Sequence, residues 1–194
     1  MKLSIVSLFA ASLSFAAAAP VAQPSGGGNN GSPFRQPNVI RPTARSQYDV
    51  WTGAVHYNTT NGKIFKNGQT TDVTTLLTFT FPPATNGQSC EFHFYLDSTA
   101  TVSGTGTFDV FSSLAPATHS TTSWPSGNLR DQYGGRMQAS LPGEAAFLAG
   151  YGTTAQLFEC PSDSVYGVEL VPTGDVDDIE WVGSLAGAYI LYHP

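Results

Sequence analysis

TTLLTFTFPPATNGQSCEFHFYL, residues 74–96, decides the fold class. From Thr75 to Phe81 apolar and hydroxyl side chains alternate, with Leu77, Phe79 and Phe81 on one face and Thr78 and Thr80 on the other. Pro82-Pro83 cannot continue a strand, and Asn86-Gly87 is a turn dipeptide. Cys90, Phe92, Phe94 and Leu96 then share one face, with Glu91, His93, Tyr95 and Asp97 on the opposite one. A period of two on both sides of a turn is the signature of strand–turn–strand, because successive side chains of a strand point to opposite faces.

The same texture extends in both directions. Val50 to Tyr57 reads as a first strand ahead of the Asn61-Gly62 turn. Gly104 to Phe111, Arg136 to Leu141, Ala155 to Cys160, Val165 to Val171 and Ala186 to Tyr192 read as further strands. Gly143 to Leu148 has the length of a single helical turn. Composition agrees: charged residues are 11% and aromatics 12%, with 20 Gly and 13 Pro. Long helices need more Lys, Glu and Leu in periodic order, whereas short strands and tight turns draw on Thr, Ser, Gly and aromatics. The expectation is all-β: an antiparallel β-sandwich of about eight or more strands over residues 46–194.

Two segments precede that domain. Residues 1–19 have the form of a secretory signal peptide: Lys2, an apolar run from Leu3 to Phe15, and the small residues Ala16 to Ala19. The run is shorter than the roughly 20 residues needed to span a bilayer. Cleavage after Ala18 or after Ala19 satisfies the small-x-small rule, and Pro20 favours the first. Residues 20–45 are rich in Pro, Gly, Asn and Ser, which predicts a flexible linker, with Val39 and Ile40 beginning an apolar trend at its end.

Net charge is −6, unevenly placed: Arg35, Arg41 and Arg45 precede residue 46 and all 14 acidic residues follow it. Residues 46–194 carry four basic residues (Lys63, Lys66, Arg130 and Arg136) against those fourteen acids, a net −10. A phosphate backbone or an anionic membrane would repel such a surface, so neither nucleic acid nor membrane is an expected partner. In an oxidising compartment the two cysteines, Cys90 and Cys160, are expected to form one bridge, the alternative being two separate buried thiols. No His or Cys pair has zinc-ligand spacing, and no metal or cofactor is expected.

Read together and in order, several segments resemble the fungal ubiquitin 3 binding protein C-terminal domain, the But-type family. They are Thr74 to Leu96, Gly104-Thr105-Gly106-Thr107-Phe108-Asp109-Val110-Phe111, Leu157-Phe158-Glu159-Cys160-Pro161, Thr173-Gly174-Asp175 and Gly187-Ala188-Tyr189-Ile190. The likeness covers about residues 46–192. It departs at the end, where Leu191-Tyr192-His193-Pro194 stands in place of a frequent final cysteine, and at Val176 to Trp181, which is more acidic. The resemblance transfers no catalytic residue. Its named partner, an enzyme of ubiquitin-like activation, is cytosolic and out of reach of a secreted chain.

Candidate chemistry is sparse. Asp175, Asp177, Asp178 and Glu180 alternate as calcium ligands can, but lack the glycine and distal glutamate of a helix–loop–helix site, so a solvated acidic turn is expected. Glu91, Glu144, Glu159 and Glu169 are the acids from which a glycosidase pair would be drawn, two carboxylates roughly 5–10 Å apart. There is no Gly-x-Ser-x-Gly elbow, and the histidines at 56, 93, 119 and 193 are isolated in sequence. Trp51, Trp124 and Trp181 are candidates either for the core or for stacking on sugar rings; Trp124, in Ser123-Trp124-Pro125-Ser126-Gly127, and Trp181 are the expected ligand surface. Asn30 and Asn58 head glycosylation sequons. The reading is a secreted or cell-wall-associated, non-catalytic domain of unknown ligand, for which a carbohydrate, in a cell-wall polysaccharide or glycoprotein, is the candidate. A small glycoside-active enzyme using paired carboxylates is the alternative.

Overall fold

The computed structural model describes residues 32–193. Among them, fifteen strands follow in order: β1 (Val39–Ile40), β2 (Ala44–Asp49), β3 (Val55–His56), β4 (Asn61–Lys66), β5 (Val73–Phe81), β6 (Ser89–Leu96), β7 (Thr101–Gly104) and β8 (Thr107–Ser113). After a long loop come β9 (Arg130–Gln138), β10 (Gly143–Glu144), β11 (Ala146–Phe147), β12 (Phe158–Glu159), β13 (Ser164–Pro172), β14 (Asp177–Val182) and β15 (Gly187–His193). Two short 3-10 turns, Pro33–Arg35 and Pro83–Thr85, complete the described elements.

The strands form two antiparallel sheets. The smaller runs β1-β15-β6-β10, with β12 also on β6; the larger runs β11-β9-β8-β13-β5-β4-β14-β7, with β2 on β5 and β3 on β2. The 74–96 stretch is built as its alternation predicts, but its two strands do not pair with each other. β5 lies in the larger sheet and β6 in the smaller, so the Pro-rich turn carries the chain across the sandwich. The faces of Leu77, Phe79 and Phe81 and of Cys90, Phe92, Phe94 and Leu96 are all buried in one core. Phe94 meets Phe108 of β8 at a ring separation of 4.8 Å, joining the two sheets. Thr85 pins the crossing, its hydroxyl lying 2.8 Å from the Pro82 carbonyl and 3.0 Å from that of Pro161.

Several local expectations are corrected. The region expected as linker contributes β1 and the first two residues of β2, so the folded unit begins before residue 46. Ile40 pairs with Ile190, and Ala44 and Ser46 are buried on β2. Three apolar or small side chains at the right alternation outweigh a linker-like composition. Val50 to Gly53 is a turn, with strands on either side. Of the acidic run, Asp175 is exposed in a bend, whereas Asp177, Asp178 and Glu180 lie on a strand, β14, which buries Asp177, Ile179 and Trp181 on its inner face. Gly143 to Leu148 is two short strands in place of a helical turn.

Cys90 and Cys160 are joined, with Cα atoms 5.0 Å apart. Phe158 pairs with Cys90, so the bridge staples the two-residue strand β12 to its own neighbour β6. Among the described residues no helix is long and apolar enough to cross a membrane.

Candidate functional site

Among the described residues, Trp51 and Trp124 are the most exposed of the large aromatic side chains, 67% and 58% accessible, and neighbouring turns present them. The first turn is shaped by Asp49 at the end of β2. Its Oδ1 accepts from the backbone N–H groups of Trp51 (3.1 Å) and Thr52 (3.0 Å) and from the Thr71 hydroxyl (2.7 Å). A short carboxylate that mimics the turn's own backbone is how Asp fixes such a bend. Gly53 then takes φ +72°, and its N–H donates to the Asp49 carbonyl at 2.8 Å. Those bonds hold the Asp49 carboxyl below the usual range, the Thr71 hydroxyl contributing most and the Thr52 N–H next.

Trp124 comes from the loop between β8 and β9. Its N–H donates to the Gly53 carbonyl (2.8 Å), Val55 N–H donates to the Thr122 carbonyl (2.9 Å), and Ala54 and Ser123 form a bridge. The two tryptophan turns are thus one hydrogen-bonded unit. Beneath the loop lies Glu169 of β13, fully buried on the face the loop covers. Arg130 grips it with Nε at 2.8 Å and Nη2 at 3.0 Å, Thr74 donates at 2.8 Å and Asn128 at 3.4 Å. Asn128 and Arg130 belong to the loop's exit, so the buried carboxylate anchors the segment that carries Trp124. The Glu169 hydrogen bond in turn raises the Arg130 pKa.

The remaining candidates are placed elsewhere. Trp181, expected on the ligand surface, is a core residue at 2% exposure. Its ring stands edge-on to Phe94 at 5.0 Å and lies over Gly62, where a Cβ would come within 2.0 Å of it. Asp177, expected in a solvated turn, accepts from Thr105 Oγ1 (2.5 Å), Gly106 N–H (2.8 Å) and Gly174 N–H (2.6 Å), so both its oxygens are committed to the protein. Glu180 pairs with Lys63 at 2.5 Å across β14 and β4. Among the described residues no group of three or more His, Cys, Asp or Glu side chains is arranged to hold a metal ion.

Two of the four candidate acids contact the same histidine, on the outer face of the smaller sheet. Glu91 Oε2 lies 3.2 Å from His93 Nε2, and Glu144 Oε2 lies 4.0 Å from His93 Nδ1. Each carboxylate thus faces a different nitrogen of one imidazole. Tyr189 stacks on His93 with ring centres 5.0 Å apart and donates to Glu144 at 2.7 Å. Burial raises the pKa of Glu144 despite that hydrogen bond, and burial followed by the Glu144 bond raises that of Tyr189. Glu159 is exposed on β12, and Glu169 is bound to Arg130 as described. Asn58 is exposed in the turn before β4, while Asn30 and residues 1–19 lie outside the described residues.

A family profile, that of the ubiquitin 3 binding protein But2 C-terminal domain, matches residues 35–185. The chain belongs to this family. The match begins at Arg35, in keeping with the early start of the folded unit, and takes in both tryptophan turns and the disulfide of this But2-type domain. No curated protein and no solved structure matches it. Of the tryptophan site, the loop context of Trp124 is legible in the sequence. Trp51 falls in a segment whose alternation reads as a strand, and Asp49 followed by Gly53 is the signal that places it on a turn.

Proposed function

We propose that this But2-type domain is a secreted, non-catalytic binding module whose ligand is a carbohydrate of a cell-wall polysaccharide or glycoprotein. One observation carries the reading: Trp51 and Trp124 are exposed on two turns that are hydrogen-bonded to each other. Keeping large aromatic rings in water is costly, so a pair of them on rigid turns is more telling than single exposed apolar residues. Their flat faces suit the apolar faces of sugar rings, and rigid anchors lose little entropy on binding. The family name points instead to a ubiquitin-related protein partner. The apolar leader at residues 1–19 and the disulfide both favour an extracellular address, where that partner is absent.

Three measurements test this. Secretion with a mature N-terminus at Ala19 or Pro20 supports the address, and retention of residues 1–19 would overturn it. Pull-down on insoluble chitin and β-glucan, with a glycan array alongside, should show binding that W51A and W124A each weaken at least about tenfold. Binding unchanged in both variants would remove the tryptophan site. Hydrolysis of a bound glycan that E144Q or E91Q abolishes would replace the binding module with an enzyme.

A further inference from the structure

Lys63, Arg130 and Arg136 each hold a carboxylate, at 2.5, 2.8 and 2.8 Å respectively. Arg41 and Arg45 do not. Arg41 Nη2 donates to the Gly183 carbonyl at 2.6 Å, and Arg45 Nη1 donates to the carbonyls of Thr59 (3.2 Å) and Thr60 (3.0 Å). The Arg45 guanidinium lies against the α-carbon of Gly183, where a Cβ would overlap it. Two guanidinium groups therefore flank one glycine with no acidic side chain bonded to either among the described residues. Residues 1–31 contain no Asp or Glu, so that segment has no acidic side chain to supply. Burial lowers both arginine pKa values, and the charge of Arg41 lowers that of Arg45 further. In a chain with fourteen acidic residues, an uncompensated pair of cations is an anomaly.

Beside this pair is a cleft of about 330 Å³, within the size range of small-molecule sites. Arg35 and Arg41 line it together with the aromatic rings of Phe34 and Tyr95, and Asp97 and Leu185 complete the lining used below. Phe34 and Tyr95 are edge-on at 6.3 Å, and the Arg41 guanidinium carbon lies 4.2 Å from the centre of the Phe34 ring. Asp97 uses Oδ1 for the Thr99 N–H (3.3 Å) and hydroxyl (2.9 Å), so its second oxygen is available to a ligand hydroxyl.

We infer that this cleft binds an anionic ligand of monosaccharide size, with a carboxylate or phosphate held by Arg41 and Arg35. A planar guanidinium fork matches either oxyanion, and such charge-assisted bonds are stronger than neutral ones. The ring of the ligand lies along Phe34 and Tyr95, with a hydroxyl on Asp97. None of the residues of the tryptophan edge takes part, so the inference goes beyond the proposed function and can fail separately from it.

The test is titration of the purified protein at low salt with glucuronate, glucose 6-phosphate, inorganic phosphate and neutral glucose, followed by calorimetry and by NMR shifts. Glucuronate and glucose 6-phosphate, as carboxylate and phosphate probes, should show which oxyanion the cleft prefers, and at least one should bind while glucose does not. Raising the salt should weaken binding. R41Q and R35Q should each weaken it about tenfold or more, whereas W124A should leave it unchanged. Arg35 is exposed, so R35Q tests the site even where R41Q folds poorly. Shifts at Tyr95 and Leu185 in the unaltered protein support the location, and shifts confined elsewhere overturn it. Glucose binding as tightly as its anions, or no anion binding at all, would overturn the inference and leave the arginines as clamps on Gly183 and Thr59. Inorganic phosphate binding as tightly as the sugar phosphate would overturn the monosaccharide-sized ligand.

Discussion

Glu169 is the residue whose surroundings most change its meaning. As a letter on an alternating strand it is an acid like any other. In the fold it is fully buried, and four side-chain donor groups from three residues of distant elements converge on it. Arg130 is 39 residues away, so no local pattern could have paired them. Removing one partner of a buried ion pair leaves a charge without compensation, which costs about 3–5 kcal/mol. Arg130 is itself 42% accessible at its side chain, so water can partly replace it. R130A is therefore expected to lose about 3 kcal/mol of unfolding free energy, at the low end of that range, in a urea titration. E169Q/R130M, which removes both charges, should recover part of the loss. A double variant no better than R130A would contradict the account of Glu169 as an anchoring charge.

At the scale of elements, the turn 49–54 and the strand β14 show what alternation can and cannot reveal. β5, β6, β13 and β15 follow the sequence pattern within a few residues, because their inward side chains are mostly apolar and set a period of two. β14 buries Asp177 in the position where the pattern calls for an apolar residue, so its Asp-Asp-Ile-Glu letters read as a solvated loop. The partners that make Asp177 tolerable, Thr105, Gly106 and Gly174, lie on separate turns. The pairing of sheets was equally hidden, since a Pro-rich turn suits a crossing as well as a hairpin. For the tryptophan turn, one carboxylate is decisive. D49A removes three hydrogen bonds from Asp49 Oδ1 and is expected to cost about 1–2 kcal/mol, read as a lower thermal midpoint and increased mobility of the Trp51 ring by NMR. The pH dependence has a definite sign. The folded Asp49 pKa is lowered, so its contribution is complete above the unfolded carboxylate pKa and is lost as pH falls through the lowered folded value. The stability gap between the parent and D49N should therefore narrow on acidification. A gap that widens toward low pH would refute the assignment.

At the scale of the whole fold, the described residues share a main core between two sheets, a smaller buried cluster of Val55, Leu76 and Ala117, and a covalent link between residues 70 apart. Cys90 sits in the centre of the smaller sheet, whereas Cys160 ends a segment whose only strand is two residues long. The backbone there is otherwise held by the Phe158 and Glu159 pairings, by Cys160 N–H to the Gln88 carbonyl at 3.0 Å, and by Ala155, which bonds Gly134 of β9 and Phe92 of β6. The bridge is therefore one of several contacts that hold this segment in the native structure. What the bridge changes most is the unfolded chain, whose freedom it restricts by closing a long loop. In the chain-entropy model a closure of this length stabilises the folded state by about 4 kcal/mol. Domains of this size have about 5–15 kcal/mol in total, so the link is a large share of the whole. The C90A/C160A double variant is expected to keep the β-sheet circular dichroism of the parent while its unfolding free energy falls by about 4 kcal/mol. Native Cys90 and Cys160 are almost completely buried, so reduction of the folded parent should be slow and should require partial opening of the segment 152–160. A double variant within about 1 kcal/mol of the parent would mean that the unfolded chain is already constrained without the disulfide. Loss of sheet content would mean instead that the link is needed to hold β12 on β6.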